Sequence, residues 1–115
     1  MKVIAIVMST AFLASGCATD AKTYRGHLSI WPEAEVFTPC GSDDPLWLDY
    51  DMKTREPIAK DHWTLQKTPY DTTFAVIEGS VGPKLYCGFC EEYKGSFKVH
   101  RVVEQRMSSL KDCTP

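Results

Sequence analysis

Alternation of apolar and polar residues predicts that this chain is built mainly from β-strands. A period of two places alternate side chains on one face of a strand, and β-branched and aromatic residues suit such a surface. The five segments with this pattern are 24–30, 33–38, 46–50, 72–82 and 95–106. Pro32 separates the first two, so they form either a hairpin or one strand bent at the Trp31-Pro32 step.

Two of these strands carry specific expectations about their buried faces. The residues of the first strand that share one parity are Tyr24, Leu28 and Ile30. Those of the last strand are Phe97, Val99 and Val103. Arg101 falls on the same face of the last strand, which predicts a bulge or the rim of a barrel there.

One segment, 55–66, predicts an α-helix. Pro57 suits the first turn of a helix, where the missing N–H costs nothing. Ile58, Trp63 and Leu65 could face a core. The helix is short, so tertiary packing must stabilise it.

Five strands with one short helix between the third and the fourth predict a mainly β fold. This layout is that of a small, partly open β-barrel of the OB type. Such a barrel would occupy residues 24–115 as a single domain.

The N-terminal segment predicts export. The apolar run 3–13 is too short to span a membrane but suits the core of a signal peptide. Small residues and Cys17 follow, a pattern that resembles the bacterial lipobox. We therefore expect residues 1–16 to be a lipoprotein signal peptide, Cys17 to be lipidated, and 17–23 to be a tether. Two alternatives are ordinary signal cleavage with a free thiol at Cys17, and a buried apolar strand.

Charge argues against a nucleic-acid partner. The sequence has 13 basic and 15 acidic residues, and removal of the signal peptide takes away the basic Lys2. A phosphate backbone requires a concentration of basic charge. An acidic domain tethered to a membrane lacks that concentration.

Cysteines of an exported chain normally form disulfides. If Cys17 carries lipid, four remain: Cys40, Cys87, Cys90 and Cys113. An even number fits complete pairing, and four cysteines allow three connectivities.

The motifs YRGHLSIWPEAEVFTPC, LWL, FAVIEGSVG and GSFKV, with a DC pair at 112–113, resemble the C-terminal OB-like domain of the NlpE outer-membrane lipoproteins. The resemblance implies that Cys40 pairs with Cys113. It also implies a link to copper homeostasis and to envelope-stress signalling, in which this disulfide reports on oxidative folding. The additional N-terminal C-x-x-C domain of that family has no counterpart in this sequence, so its signalling role is not expected to transfer in full.

The remaining pair, Cys87 and Cys90, leaves three alternatives open. The first is a local disulfide that stiffens the loop between the last two strands. The second is a copper or zinc site, since thiolates at this spacing bind soft metals, completed by a histidine; the candidates are His27, His62 and His100. The third is thiol–disulfide exchange.

No motif predicts catalysis or a cofactor. The acidic residues 43, 44, 49 and 51 lack the spacing of a calcium loop, and no G-x-S-x-G is present. The sequence therefore predicts a non-catalytic outer-membrane lipoprotein, facing the periplasm or exposed at the surface. It would contact the membrane through its lipid and an envelope protein through its loops.

Overall fold

The computed structural model describes residues 21–114. The predicted signal peptide, 1–16, and the predicted lipidation site, Cys17, lie outside the described residues. The regular elements are β1 (Lys22–Trp31), β2 (Ala34–Pro39), β3 (Leu46–Asp49), α1 (Met52–Leu65), β4 (Thr73–Gly82) and β5 (Ser96–Met107), with a short 3-10 helix at Phe89–Glu92. β1 thus begins inside the segment predicted to be a tether.

The five strands close into a ring in the order β1-β2-β3-β5-β4. All neighbours are antiparallel except β3 and β5, which pair in parallel. The predicted OB-like barrel with one helix is therefore confirmed. Its closure is uneven, because β3 pairs through two residues with β2 and through three with β5.

The first two strands form a hairpin rather than one bent strand. Trp31 pairs with Ala34, so only Pro32 and Glu33 make the turn. Proline at this point ends the pairing of β1 without leaving a ladder donor unpaired.

The interior of the ring is filled by alternate residues of the strands. Leu28 and Ile30 are fully buried, as their parity predicted, and Tyr24 packs against the core from its edge. The rings of Phe37 and Phe97 lie 4.8 Å apart between centroids. Burial of large apolar side chains is the main stabilising contribution to a domain of this size.

Two glycines allow the strands to curve around these rings. A Cβ at Gly26 would meet the carbonyl oxygen of Thr38 and the ring of Phe37. A Cβ at Gly79 would likewise meet the carbonyl of Lys98 and the ring of Phe97. Glycine at a tight bend of a barrel permits this close approach.

Helix α1 begins earlier than the sequence pattern predicted. Asp51 caps it, accepting a hydrogen bond from the Thr54 N–H at 2.8 Å, so the first helical residue is Met52 and not residue 55. Pro57 consequently lies inside the helix and not in its first turn. The cap was present in the sequence, but the preference of proline for a first turn pointed to the wrong residue.

The buried face of α1 also differs from the prediction. Ile58, Ala59 and His62 are buried, whereas Trp63 is about half exposed and Leu65 is intermediate. The Trp63 indole Nε1–H donates to the carbonyl of Ile30 at 3.0 Å, which holds the ring at the rim of the barrel.

His62 fastens the helix to the barrel as a neutral side chain. Its Nε2 receives the backbone N–H of Ile30 at 3.4 Å, and its Nδ1 lies 2.8 Å from the Thr73 hydroxyl. These partners assign the proton to Nδ1. Burial lowers the pKa of His62, because the charged form would lose its hydration.

β5 departs from regular pairing on both sides of Arg101. The register with β4 shifts between Val76 and Ile77 and again between Glu78 and Gly79. The predicted bulge is therefore present. It turns Val103, predicted to face the core, outward, and its side chain is about half exposed. Within residues 21–114, no helix is long and apolar enough to cross a membrane.

Candidate functional site

The disulfide between Cys40 and Cys113 joins two segments that are distant in sequence. Cys40 follows the end of β2, and its backbone N–H donates to the carbonyl of Arg25 at 2.7 Å. The Cα atoms of the two cysteines are 5.2 Å apart. Cys113 is exposed and Cys40 is half-buried, so the bond lies at the surface, where a reductant can reach it.

The segment that this disulfide holds, residues 108–114, is called the C-terminal latch below. Its central residue, Asp112, is only 2% exposed. The carboxylate Oδ2 lies 3.0 Å from the Nε2 of His27 and accepts the backbone N–H of Ser109. Arg25 also donates to the backbone carbonyl of Asp112 at 2.9 Å.

Arg106 completes the set of groups around the carboxylate. Its Nη1 lies 2.7 Å from Oδ1 of Asp112. The two groups form an ion pair, but their relative orientation does not make a hydrogen bond. Burial alone would raise the pKa of Asp112. The opposing contributions of Ser109, His27 and Arg106 outweigh it, and the pKa lies below its ordinary value. The latch therefore carries a buried carboxylate that is charged at neutral pH.

The same side chains enclose an apolar residue on the outside of the barrel. Ala75 faces the core, so its neighbour Phe74 points to the outer face of β4, yet Phe74 is only 1% exposed. The guanidinium of Arg106 lies 4.2 Å from its ring centroid, and that of Arg25 lies 5.3 Å from it. The ring of His27 meets it edge-on at 5.8 Å.

We refer to Arg25, His27, Phe74 and Arg106 as the outer-face cluster. Cations over an aromatic ring contribute about 0.5–1 kcal/mol each at exposed sites and more when desolvated. Three of the four residues also contact Asp112, so the cluster and the latch stabilise each other. Release of the latch would free Arg25, His27 and Arg106 from Asp112, and these are the side chains that cover Phe74.

The second disulfide lies in the loop between β4 and β5. Cys87 and Cys90 are joined with their Cα atoms 5.5 Å apart. Cys87 is exposed, whereas Cys90 is fully buried at the start of the 3-10 helix. Gly88 has a φ of 91°, a conformation that favours glycine, and its N–H donates to the Glu91 carboxylate at 3.0 Å.

The histidines considered as additional metal ligands are separated in the fold. His27 belongs to the outer-face cluster, His62 is on the buried face of α1, and His100 is exposed on β5. In residues 21–114, no group of three or more His, Cys, Asp or Glu side chains is arranged to hold a metal ion. A metal at Cys87 and Cys90 would first require reduction of their bond.

The acidic turn after Cys40 is exposed. Asp43 and Asp44 lie in solvent, and Asp44 forms a surface ion pair with Lys94 at 3.4 Å. Such pairs contribute little to stability. The turn thus leads the chain away from the disulfide and shows no further function.

The sequence did not indicate the outer-face cluster or the role of Asp112. His27 and Asp112 are 85 positions apart, and Arg25 and Asp112 are 87 apart. The one local signal was the position of Asp112 directly before Cys113. Comparisons with protein-family models, curated proteins and solved structures found no match to this chain.

Proposed function

We propose that this protein is a non-catalytic, lipid-anchored outer-membrane module that senses the oxidative state of the envelope, as the resemblance to NlpE implies. The observation that carries the proposal is the Cys40–Cys113 disulfide, exposed to solvent and yet holding the buried Asp112 in place. A disulfide that a reductant can reach is thereby coupled to the position of a buried side chain.

Reduction would act on this coupling in two ways. It would remove the covalent constraint on the latch. The contacts of Asp112 would then have to offset the conformational entropy that the free segment loses when it is ordered. Departure of Asp112 would leave the basic and aromatic side chains of the outer-face cluster available to an envelope protein. In the oxidised state Phe74 is buried and the two arginines are held by Asp112, and in the reduced state these contacts would be released.

A reporter of envelope stress in cells tests this proposal. The double variant Cys40→Ser/Cys113→Ser releases the latch permanently, and Cys87→Ser/Cys90→Ser removes the other disulfide as a matched control. We expect the first to raise the reporter signal in oxidising medium and the second to leave it at the wild-type level. Equal signals from both variants would contradict the proposal, provided that both proteins accumulate to similar levels.

The anchor is tested separately through Cys17. We expect a diacyl or triacyl mass on Cys17, and a Cys17→Ser protein that no longer fractionates with the outer membrane. An unmodified Cys17 in the native protein would remove the anchor from the proposal, because the other four cysteines are paired with one another.

A second candidate function is copper or zinc handling through Cys87 and Cys90. The exposure of Cys87 favours it, since the bond is open to reduction and its thiolate would be accessible. Mass spectrometry of the native protein, alkylated without reduction, distinguishes the two. Linked 87–90 peptides support the sensing module, whereas labelling of both cysteines that copper or zinc blocks would support metal handling.

A further inference from the structure

A cleft of about 340 Å³ opens between the β1–β2 turn and the C-terminal half of α1. Its volume lies in the lower part of the range of small-molecule sites, about 300–1,000 Å³. It shares no residue with the latch or the outer-face cluster. The residues of its wall that matter here are Trp31, Pro32, Glu35, Arg55, Trp63 and Gln66.

Two tryptophans, Trp31 and Trp63, line the cleft, and Tyr70 packs against Trp31 beside it. Trp63 is 48% exposed, and its hydrogen bond to the carbonyl of Ile30 fixes the position of the indole. The Arg55 guanidinium lies over one face of this ring, 5.6 Å from its centroid, so a ligand would pack on the remaining surface. The ring of Trp31 meets that of Tyr70 at a centroid distance of 5.3 Å and an angle of 82°. Tyr70 is 72% exposed. Exposed apolar surface with a polar rim is a feature of ligand-binding grooves.

A charged pair at the side of the cleft is rigid and electrically balanced. Arg55 donates through Nε and Nη2 to the two oxygens of Glu35, at 2.9 and 3.0 Å. Tyr50 donates to the same carboxylate at 2.7 Å. The guanidinium has five N–H donors, so three have no partner among the described residues. These donors are free to bind a ligand, and the Glu35 carboxylate balances the charge of the guanidinium that carries them.

An unpaired acceptor completes the polar groups. The Oε1 of Gln66 is buried without a hydrogen-bond partner in the described part of the chain. The amide lies near His62, but both imidazole nitrogens already have partners, Ile30 and Thr73. A buried acceptor left unpaired is unfavourable, so a ligand donor that reaches the Gln66 amide would be favoured.

We propose that this cleft binds a neutral carbohydrate, namely a β-linked oligosaccharide of pyranose rings with equatorial hydroxyls. Such rings have flat C–H faces that cover aromatic side chains and a rim of hydroxyls that both donate and accept. The hydroxyls would accept from Arg55 and donate to Gln66. A phosphorylated ligand is disfavoured, because Glu35 already compensates the charge of Arg55 and the chain is acidic overall.

A proline-rich peptide is the other ligand that aromatic grooves take. Proline has no N–H, so the proline positions of such a peptide have no backbone donor for the Gln66 acceptor. The perpendicular rings of Trp31 and Tyr70 form a corner rather than parallel walls. These features favour the carbohydrate.

Titration of the purified full-length protein with cellotetraose and chitotetraose, followed by NMR, tests the proposal. We expect saturable shifts of the indole signals of Trp31 and Trp63. Trp31→Ala and Tyr70→Ala should each weaken binding at least tenfold. Tyr86→Ala is the matched control, because Tyr86 is as exposed as Tyr70 but lies on the β4–β5 loop. It should bind as the wild type does.

Three results would overturn the proposal. One is the absence of saturation by either sugar up to about 10 mM, which would detect even a complex with a Kd near 1 mM. Another is binding that Trp31→Ala and Tyr70→Ala leave unchanged. The third is stronger binding of a decaproline peptide at the same indole signals. Since Tyr70 is largely exposed, Tyr70→Ala is expected to fold. Its comparison with Tyr86→Ala therefore tests the proposal even if Trp31→Ala does not fold.

Discussion

Removal of the Cys40–Cys113 disulfide measures how much stability depends on the latch. We consider Cys40→Ser/Cys113→Ser, in which neither partner is left as a free thiol. The two cysteines are 73 positions apart. In the chain-entropy model, closure of a loop of this length stabilises the native state by roughly 4 kcal/mol. The Cys87–Cys90 bond, with a separation of 3, contributes only about 2 kcal/mol in the same model.

Thermal unfolding followed by circular dichroism gives the comparison directly. For a domain of this size, 1 kcal/mol shifts Tm by about 4–8 °C. We therefore expect Cys40→Ser/Cys113→Ser to lower Tm by about 15–30 °C and Cys87→Ser/Cys90→Ser to lower it by about half as much. Urea unfolding of the same proteins shows whether the m-value, and hence the surface exposed on unfolding, has changed.

Equal and small losses in the two double variants would refute the reasoning, because they would mean that loop length does not govern the contribution of these bonds. A reduced wild-type protein provides an independent check. Its Tm should be equal to or lower than that of the Cys40→Ser/Cys113→Ser protein. A wild-type Tm that does not change on complete reduction would also contradict the argument.

Three further predictions concern single residues. Asp112→Asn should lower the free energy of unfolding by roughly 1–3 kcal/mol at pH 7. Because the pKa of Asp112 is lowered in the fold, the difference in stability between wild type and variant should shrink as pH falls below about 3.9, the ordinary pKa of aspartate. Urea unfolding of both proteins at pH 7 and pH 2 measures this difference. The imidazole ¹⁵N shifts of His62 should titrate with a midpoint below its ordinary pKa of about 6.5. The neutral ring should carry its proton on Nδ1, and a midpoint at or above the ordinary value would count against the burial argument. Gly26→Ala should destabilise by at least about 1–3 kcal/mol because its Cβ would overlap backbone, whereas Gly82→Ala, which meets only the Ser96 hydroxyl, should cost clearly less in the same unfolding assay.

Local patterns predicted the strands because burial in a barrel follows a period of two. Leu28 and Ile30 show this, since their parity alone placed them inside. The same reasoning failed for Val103, where bulges in β5 reverse the parity, and pairing with β4 sets those bulges. It failed again for Trp63, whose position depends on a carbonyl of β1.

The candidate site was accessible to sequence reasoning only through its cysteines. Their number and the NlpE resemblance named Cys40 and Cys113 as partners. No periodicity could connect Asp112 with His27 or Arg106, because the barrel brings these residues together across its outer face. The aromatic cleft was missed for the same reason. Tryptophans are commonly packing residues, and only the fold leaves Trp63 beside Trp31 at an opening.

The parallel pairing of β3 with β5 limits the order in which the barrel and its disulfides can form while the chain emerges, N-terminus first. The ring cannot close before β5 is available, and Cys40 must wait for Cys113 through the whole of that interval. Cys87 and Cys90 emerge in between, so their thiols can reach Cys40 before Cys113 does. Because a short loop closes at little entropic cost, these two can join each other first. Formed in that order, the small disulfide would remove both competing thiols before the native partner of Cys40 is available.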